Sequence, residues 1–311
     1  MVSIIITSYN NAKTIRRAIC SAIDQTYQNC EIIVIDDCST DNSNQIYLEF
    51  GNKINVISTP QNSGATYARE EGIQAAKGKY LTFLDADDYL DKNAIEHCVN
   101  CIENTNADIV QMHIQRRVTC FGIPINFKSK YDKSKALKAC LYDEELFPIQ
   151  YWGKLYHADI INDITPIDYS GFWGDDRIFN LPIMALRLKI EVEPNAKYNY
   201  VWGGATSSQF DINVLQEYKQ VYQIKKDWVI ENRYEMFIPK MQAELIELLK
   251  YHIRHLINSK TMKDVNAIKY LQSELSQPFW AKMNLPNAIE LYATEKKSFN
   301  RIIKKVLTPF L

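Results

Sequence analysis

Asp85 and Asp87 stand two apart in the run Phe83-Leu84-Asp85-Ala86-Asp87-Asp88. In an extended backbone, residues two apart point to the same side. Two carboxylates gathered at a strand end suit a hard divalent cation, Mg²⁺ or Mn²⁺, which takes oxygen ligands and often completes its shell with substrate phosphates. Ser8-Tyr9-Asn10 and Asp36-Asp37 close two other apolar runs in the same way. Single Asp, Asn or Ser residues in such places make turns. Four acidic side chains at two neighbouring exits are harder to explain so, because close carboxylates repel unless a cation sits between them. The glycine cradles G-x-G-x-x-G and G-x-x-x-x-G-K-[ST] are absent, so a diphosphate would be handled through the metal.

The elements that must position these groups follow from the hydrophobic pattern. Val2–Thr7, Glu31–Ile35 and Lys79–Leu84 are nearly continuous apolar runs, as expected of strands buried on both faces of a parallel sheet. Ile15, Ala18, Ile19, Ala22 and Ile23 recur at helical spacing. A second helix is predicted from an N-cap at Ser63 to Ala76, with Gly78 just beyond. The resulting β-α-β-α-β chain implies parallel strands joined by right-handed crossovers, with ligands outside the carboxyl ends of the strands.

Four pieces, in order, resemble the GT-A-fold glycosyltransferases of family 2. They are Val2–Asn10 (VSIIITSYN), Glu31–Asp41 (EIIVIDDCSTD), Asn62-Ser63-Gly64 with Ala68-Arg69 and Gly72, and Phe83–Asp88 (FLDADD). The resemblance implies a Rossmann-like α/β fold, a mostly parallel sheet flanked by helices. It also implies a nucleotide diphosphate-sugar donor, most readily a UDP-sugar, and a divalent cation. By the same resemblance Thr7 and Tyr9 line the base pocket, Asp37 hydrogen-bonds the base, and Gly64 and Arg69 lie beside the nucleotide. Asp85, with Ala86 next to it, faces ribose and diphosphate, and Asp87 with Asp85 holds the cation. Two positions depart from the family pattern: Cys38 replaces the glycine of D-D-G-S, and Glu70 replaces the asparagine after the arginine. The first exchange is harmless unless that glycine needs a positive φ.

Inverting transfer needs a general base for the acceptor hydroxyl. Gly174–Phe179 resembles the family segment G-E-D-x-x-F, with Asp for Glu. The match puts the base at Asp176, with Asp175 the competitor and an N-cap role open to either. Tyr151–Tyr156 (YWGKLY) resembles the W-N-K-L-Y region of bacterial relatives. That makes Trp152 and Lys154 candidates for the acceptor side, against a core role for Trp152. No arginine occurs in 198–207, where many relatives close a loop on the diphosphate, which leaves that task to Lys197 or a hydroxyl.

Around this site the composition is that of a globular protein: 36 basic and 37 acidic residues in 311 give a net charge of −1 and no call for nucleic acid. Seven scattered cysteines, no leader-like start and no long apolar run fit a reducing, cytoplasmic setting. Cys98 and Cys101 share a predicted helix and lack the second pair that zinc would want. Residues 1–210 read as the catalytic domain, with a nucleotide half 1–110 and an acceptor half 111–210. Residues 211–311 read as a helical appendage. Its last segment, 296–311, has five basic and no acidic residues, and carries Phe299, Ile302, Ile303, Val306, Leu307 and Phe310 on one stripe. Such a helix either lies on the anionic inner face of the cytoplasmic membrane or docks on its own protein.

The function expected is transfer of a sugar to a glycan or lipid-linked acceptor in bacterial surface polysaccharide or glycoconjugate synthesis. A non-catalytic nucleotide-sugar or glycan-binding module is the alternative. A sugar-phosphate nucleotidyltransferase fits less well, because Asn10-Asn11-Ala12-Lys13 is not a glycine-rich basic loop.

Overall fold

The computed structural model describes residues 1–118, 124–126, 135–142, 148–169, 171, 173–186, 188–202, 214–258, 273–274 and 276–281. Segment 296–311 and residues 203–207 of the stretch 198–207 lie outside the described residues. The chain divides into two compact units, Met1–Phe210 and Asp211–Leu311.

The first unit is built on one sheet. Its strands are β1 (Val2–Ser8), β2 (Cys30–Asp36), β3 (Asn55–Ser58), β4 (Tyr80–Asp85), β5 (Tyr89–Leu90), β6 (Ile109–Val118), β7 (Pro124–Asn126), β8 (Lys154–His157) and β9 (Ile190–Trp202). They lie in the order β3-β2-β1-β4-β8-β6-β9-β5, with β7 on the side of β6. Pairing is parallel from β3 to β4. Beyond β4 it is mixed: β8 runs antiparallel to β4 and β6, and β9 parallel to β6. The mostly parallel expectation therefore describes the first half of the sheet.

The central strands are as apolar as their position demands. Ile4, Ile5 and Ile6 of β1 are all fully buried, and each such side chain contributes about 1.5–3 kcal/mol. Helix α1 (Ile15–Ile23) buries Ile15, Ala18, Ile19 and Ala22. Helix α2 (Ser43–Leu48) and strand β3 fall between the predicted elements, β3 being a short edge strand with mostly exposed side chains. Helix α3 spans Ala65–Ala75 and is capped by Gly64 at φ 89, not by Ser63. The Ser63 amide donates to Asp37 instead. Where Gly72 of α3 meets β1, a Cβ would collide with Ile5 Cγ2.

Helix α4 (Ala94–Thr105) buries Cys98 in the core beside Ile95, Val99 and Ile102. Helices α5 (Ala136–Tyr142), α6 (Ala158–Asp163) and α7 (Asp175–Ala185) complete the first unit. In the second, α8 (Val214–Glu231) and α9 (Ile238–Asn258) are joined by the ion pair of Lys225 and Glu244 at 2.9 Å. No helix among the described residues is long and apolar enough to cross a membrane.

Candidate active site

The parallel register brings the three polar exits together. Thr7 on β1 pairs with Ile35 on β2 and with Asp85 on β4, so the β1 exit lies between the other two. Side-chain hydrogen bonds then tie the first two loops: Asn10 Oδ1 accepts from the amides of Thr40 (2.8 Å) and Asp41 (3.2 Å), and Asp41 Oδ2 accepts from the Ala12 amide at 2.9 Å. Tyr9 stays 43% exposed, free to meet a ligand.

The two aspartates of β2 differ in task. Asp36 is buried and accepts from the Tyr47 hydroxyl at 2.9 Å and the Ser39 amide at 3.0 Å, which makes it a fastener. Asp37 accepts from the Thr59 hydroxyl (2.8 Å), the Ser63 amide (2.9 Å) and the Gly64 amide (2.7 Å). It holds the loop before α3, and a carboxylate with about four lone-pair sites can still take one donor more. Cys38 lies at φ 61, so the family glycine does mark a left-handed position, and the cysteine occupies it under strain.

At the exit of β4, Asp85, Asp87 and Asp88 bring one carboxylate oxygen each within 4.8 Å of one another. Burial pushes all three carboxyls up, and repulsion from the neighbouring aspartates adds to it at Asp85 and Asp88; Asp88 reaches about 7. A donor set of close oxygens that resists ionisation on its own fits a hard divalent cation, whose charge would reverse that shift. Asp88 is also fastened from β9, accepting from the Tyr198 hydroxyl (2.7 Å) and the Val201 amide (2.8 Å). Ala86 between them is buried, and Arg17 donates to the Asp87 carbonyl.

Asp175 and Asp176 occupy the first turn of α7, where acidic groups complement the exposed amides and the helix dipole. The residue before them, Gly174, is the N-cap, so neither aspartate has that role. Asp175 Oδ2 pairs at 3.0 Å with Arg69 Nη2, and Arg69 is 1% exposed. The guanidinium lies 3.3 Å above the Tyr151 ring centroid and 5.2 Å from that of Phe179. Its Nε and Nη1 have no hydrogen-bond partner among the described residues, and ring faces stand in for one. Asp176 Oδ1 accepts from the Tyr151 amide at 3.1 Å, and burial with the nearby Asp175 charge pushes its carboxyl well up. Tyr151 then donates its hydroxyl to Asp85 Oδ1 at 2.9 Å. The two carboxylate groups therefore meet through Tyr151, which sequence spacing could not reveal.

Trp152 and Lys154 are placed otherwise than the acceptor expectation requires. Trp152 is 8% exposed and stacks on Tyr198 (4.7 Å) and Tyr200 (5.3 Å). Lys154 is fully buried, donates to the Gln150 carbonyl and is lowered by burial to about 7. Its neighbours in β8 pair on both sides, with β4 and β6, so the strand is central and its inward side chains are core. Lys197 lies 3.9 Å from Asp91. A cavity of about 160 Å³ opens instead beside Arg69, Glu70 and Asp175, walled by Ile73, Ile161 and Phe179.

A family model described as glycosyl transferase family 2 matches residues 3–162 of this chain. The chain belongs to that family. It is similar to the glycosyltransferase GlyG of Streptococcus pneumoniae, at 36% identity over 113 residues, covering 35% of this chain and 38% of GlyG. It is also similar to GlyA of the same organism, at 29% identity over 211 residues, covering 64% of this chain and 30% of GlyA. The matches thus span 30–38% of these relatives' own length. Among solved structures, Staphylococcus aureus TarS residues 1–349 in complex with UDP superposes with a TM-score of 0.62 at 19% identity, covering 93% of this chain and 82% of that chain. The same TarS piece with UDP-GlcNAc gives 0.59 at 20% identity, covering 88% and 80%. These likenesses establish the GT-A fold.

Proposed function

We propose that this glycosyltransferase moves a sugar, with inversion and with the help of a divalent cation, from a UDP-sugar to a saccharide or lipid-linked acceptor. The product would enter a bacterial surface polysaccharide or glycoconjugate. The observation that carries the reading is the Asp85-Asp87-Asp88 cluster lying one hydrogen-bonded residue away from Asp176. Donor-binding and proton-accepting groups have to be that close for a single displacement. The UDP and UDP-GlcNAc complexes of TarS support the donor class.

Thr7, Tyr9 and Asp37 receive the nucleotide base, with Gly64 and the loop that Asp37 holds closing beside it. Asp85 and Asp87 hold Mg²⁺ or Mn²⁺, which when bound supplies Lewis-acid compensation for charge developing on the diphosphate leaving group. Asp176 takes the proton of the acceptor hydroxyl, and Asp175 keeps Arg69 at the edge of the site. The cavity beside Asp175 lies at the start of α7, the side from which an acceptor would approach. Its isoleucine and carboxylate walls suit a sugar carried on an apolar anchor.

UDP release over a panel of UDP-sugars with Mg²⁺ or Mn²⁺, with and without acceptor, tests this. Acceptor-stimulated release from one donor is the expected result. Tight UDP binding without turnover of any donor would leave a binding module.

A further inference from the structure

We propose that Tyr151 is a positioning residue that couples the cation-holding carboxylate Asp85 to the base-bearing start of α7. The inference rests on the donor-site reading above and assigns that site a part it does not yet have. Three different parts of Tyr151 touch three of its residues. The hydroxyl donates to Asp85 Oδ1 at 2.9 Å, the backbone amide donates to Asp176 Oδ1 at 3.1 Å, and the ring face carries the Arg69 guanidinium at 3.3 Å.

The residue is itself held. Its carbonyl accepts from the Tyr156 hydroxyl at 3.0 Å, and the Asn180 amide of α7 donates to the neighbouring Ile149 carbonyl at 2.7 Å. Phe83 and Phe179 meet the ring edge-on at 5.6 and 6.2 Å. With main chain and ring both fixed, the phenol oxygen has one direction to point. A carboxylate that accepts a directed hydrogen bond on one oxygen presents the other in a defined orientation, and such outer partners tune metal affinity by about 10–100-fold.

Tyr151→Phe keeps the ring and the amide and deletes only the hydroxyl. Tyr151→Leu removes the platform under Arg69 as well. Binding of Mn²⁺ to the full chain in the presence of UDP, followed by calorimetry, is the readout besides activity. For Tyr151→Phe the expected result is Mn²⁺ affinity weakened roughly tenfold, an unchanged unfolding temperature and an unchanged KM for acceptor. For Tyr151→Leu the expectation is the same loss of affinity with a further fall in kcat. Wild-type Mn²⁺ affinity in Tyr151→Phe overturns the positioning role, as does a loss of thermal stability in both variants with no change in Mn²⁺ affinity. Wild-type protein that binds neither Mn²⁺ nor UDP overturns the donor-site reading, and this proposal with it.

Discussion

Asp85, Asp87 and Asp88 crowd together without an ion pair among the described residues, whereas Asp175 and Asp176 open a helix with a buried arginine at 3.0 Å from the first of them. Both groups are acidic, and both lie at the start or end of a regular element. The difference is where the neutralising charge comes from. The pair on α7 has Arg69 built in, and the cluster after β4 has only Arg17 at its edge. Under the proposed function, the divalent cation would go to the cluster after β4 and proton transfer to the pair on α7.

The comparison can be broken by substitution. Asp87→Ala should abolish acceptor-stimulated UDP release, and turnover near the wild-type rate would remove the cation from that cluster. Asp176→Asn should lower kcat by roughly 10²–10⁴-fold, the usual worth of a general base, and Asp175→Asn by less. The reverse order in steady-state assays would exchange their roles.

Stability against pH sharpens the contrast. An unfolded Asp titrates near 3.9, and folded Asp88 is pushed up to about 7. Between those values the folded state binds more protons, so its stability falls as pH rises. Without divalent cation the unfolding temperature should drop by several degrees from pH 5 to pH 8, and saturating Mg²⁺ should flatten that slope. A slope indifferent to Mg²⁺ would show that the cluster binds none. The smallest effect concerns the loop next door: Cys38→Gly relieves the left-handed backbone at φ 61 and should stabilise by about 1 kcal/mol in urea unfolding.

How much of this was legible in the chain follows from what burial does to a pattern. β1, β2 and β4 are covered on both faces, so their sequences are mainly apolar up to the exit, where Thr7, Asp36-Asp37 and Asp85 stand out. β3 escapes such reading because an edge strand with exposed side chains has no continuous apolar run. In β9 the register against β6 shifts between Met112 and His113, an irregularity no period announces. By motif Trp152 and Lys154 resemble ligand contacts; stacking on Tyr198 and Tyr200 buries the first, and the placement of β8 between two strands buries the second. Cys38 was legible as a departure, while its φ was not.

Gly72 lies one turn beyond Arg69 on α3, on the face that meets β1. Since no side chain fits between that helix and Ile5, the backbone of α3 rides directly on the sheet. The depth at which Arg69 sits is thus set by an absent methyl group. Any larger residue at 72 would lever the helix outward and withdraw the guanidinium from Tyr151 and Asp175 together. A single hydrogen atom on β1's roof works as the depth stop for the charge below.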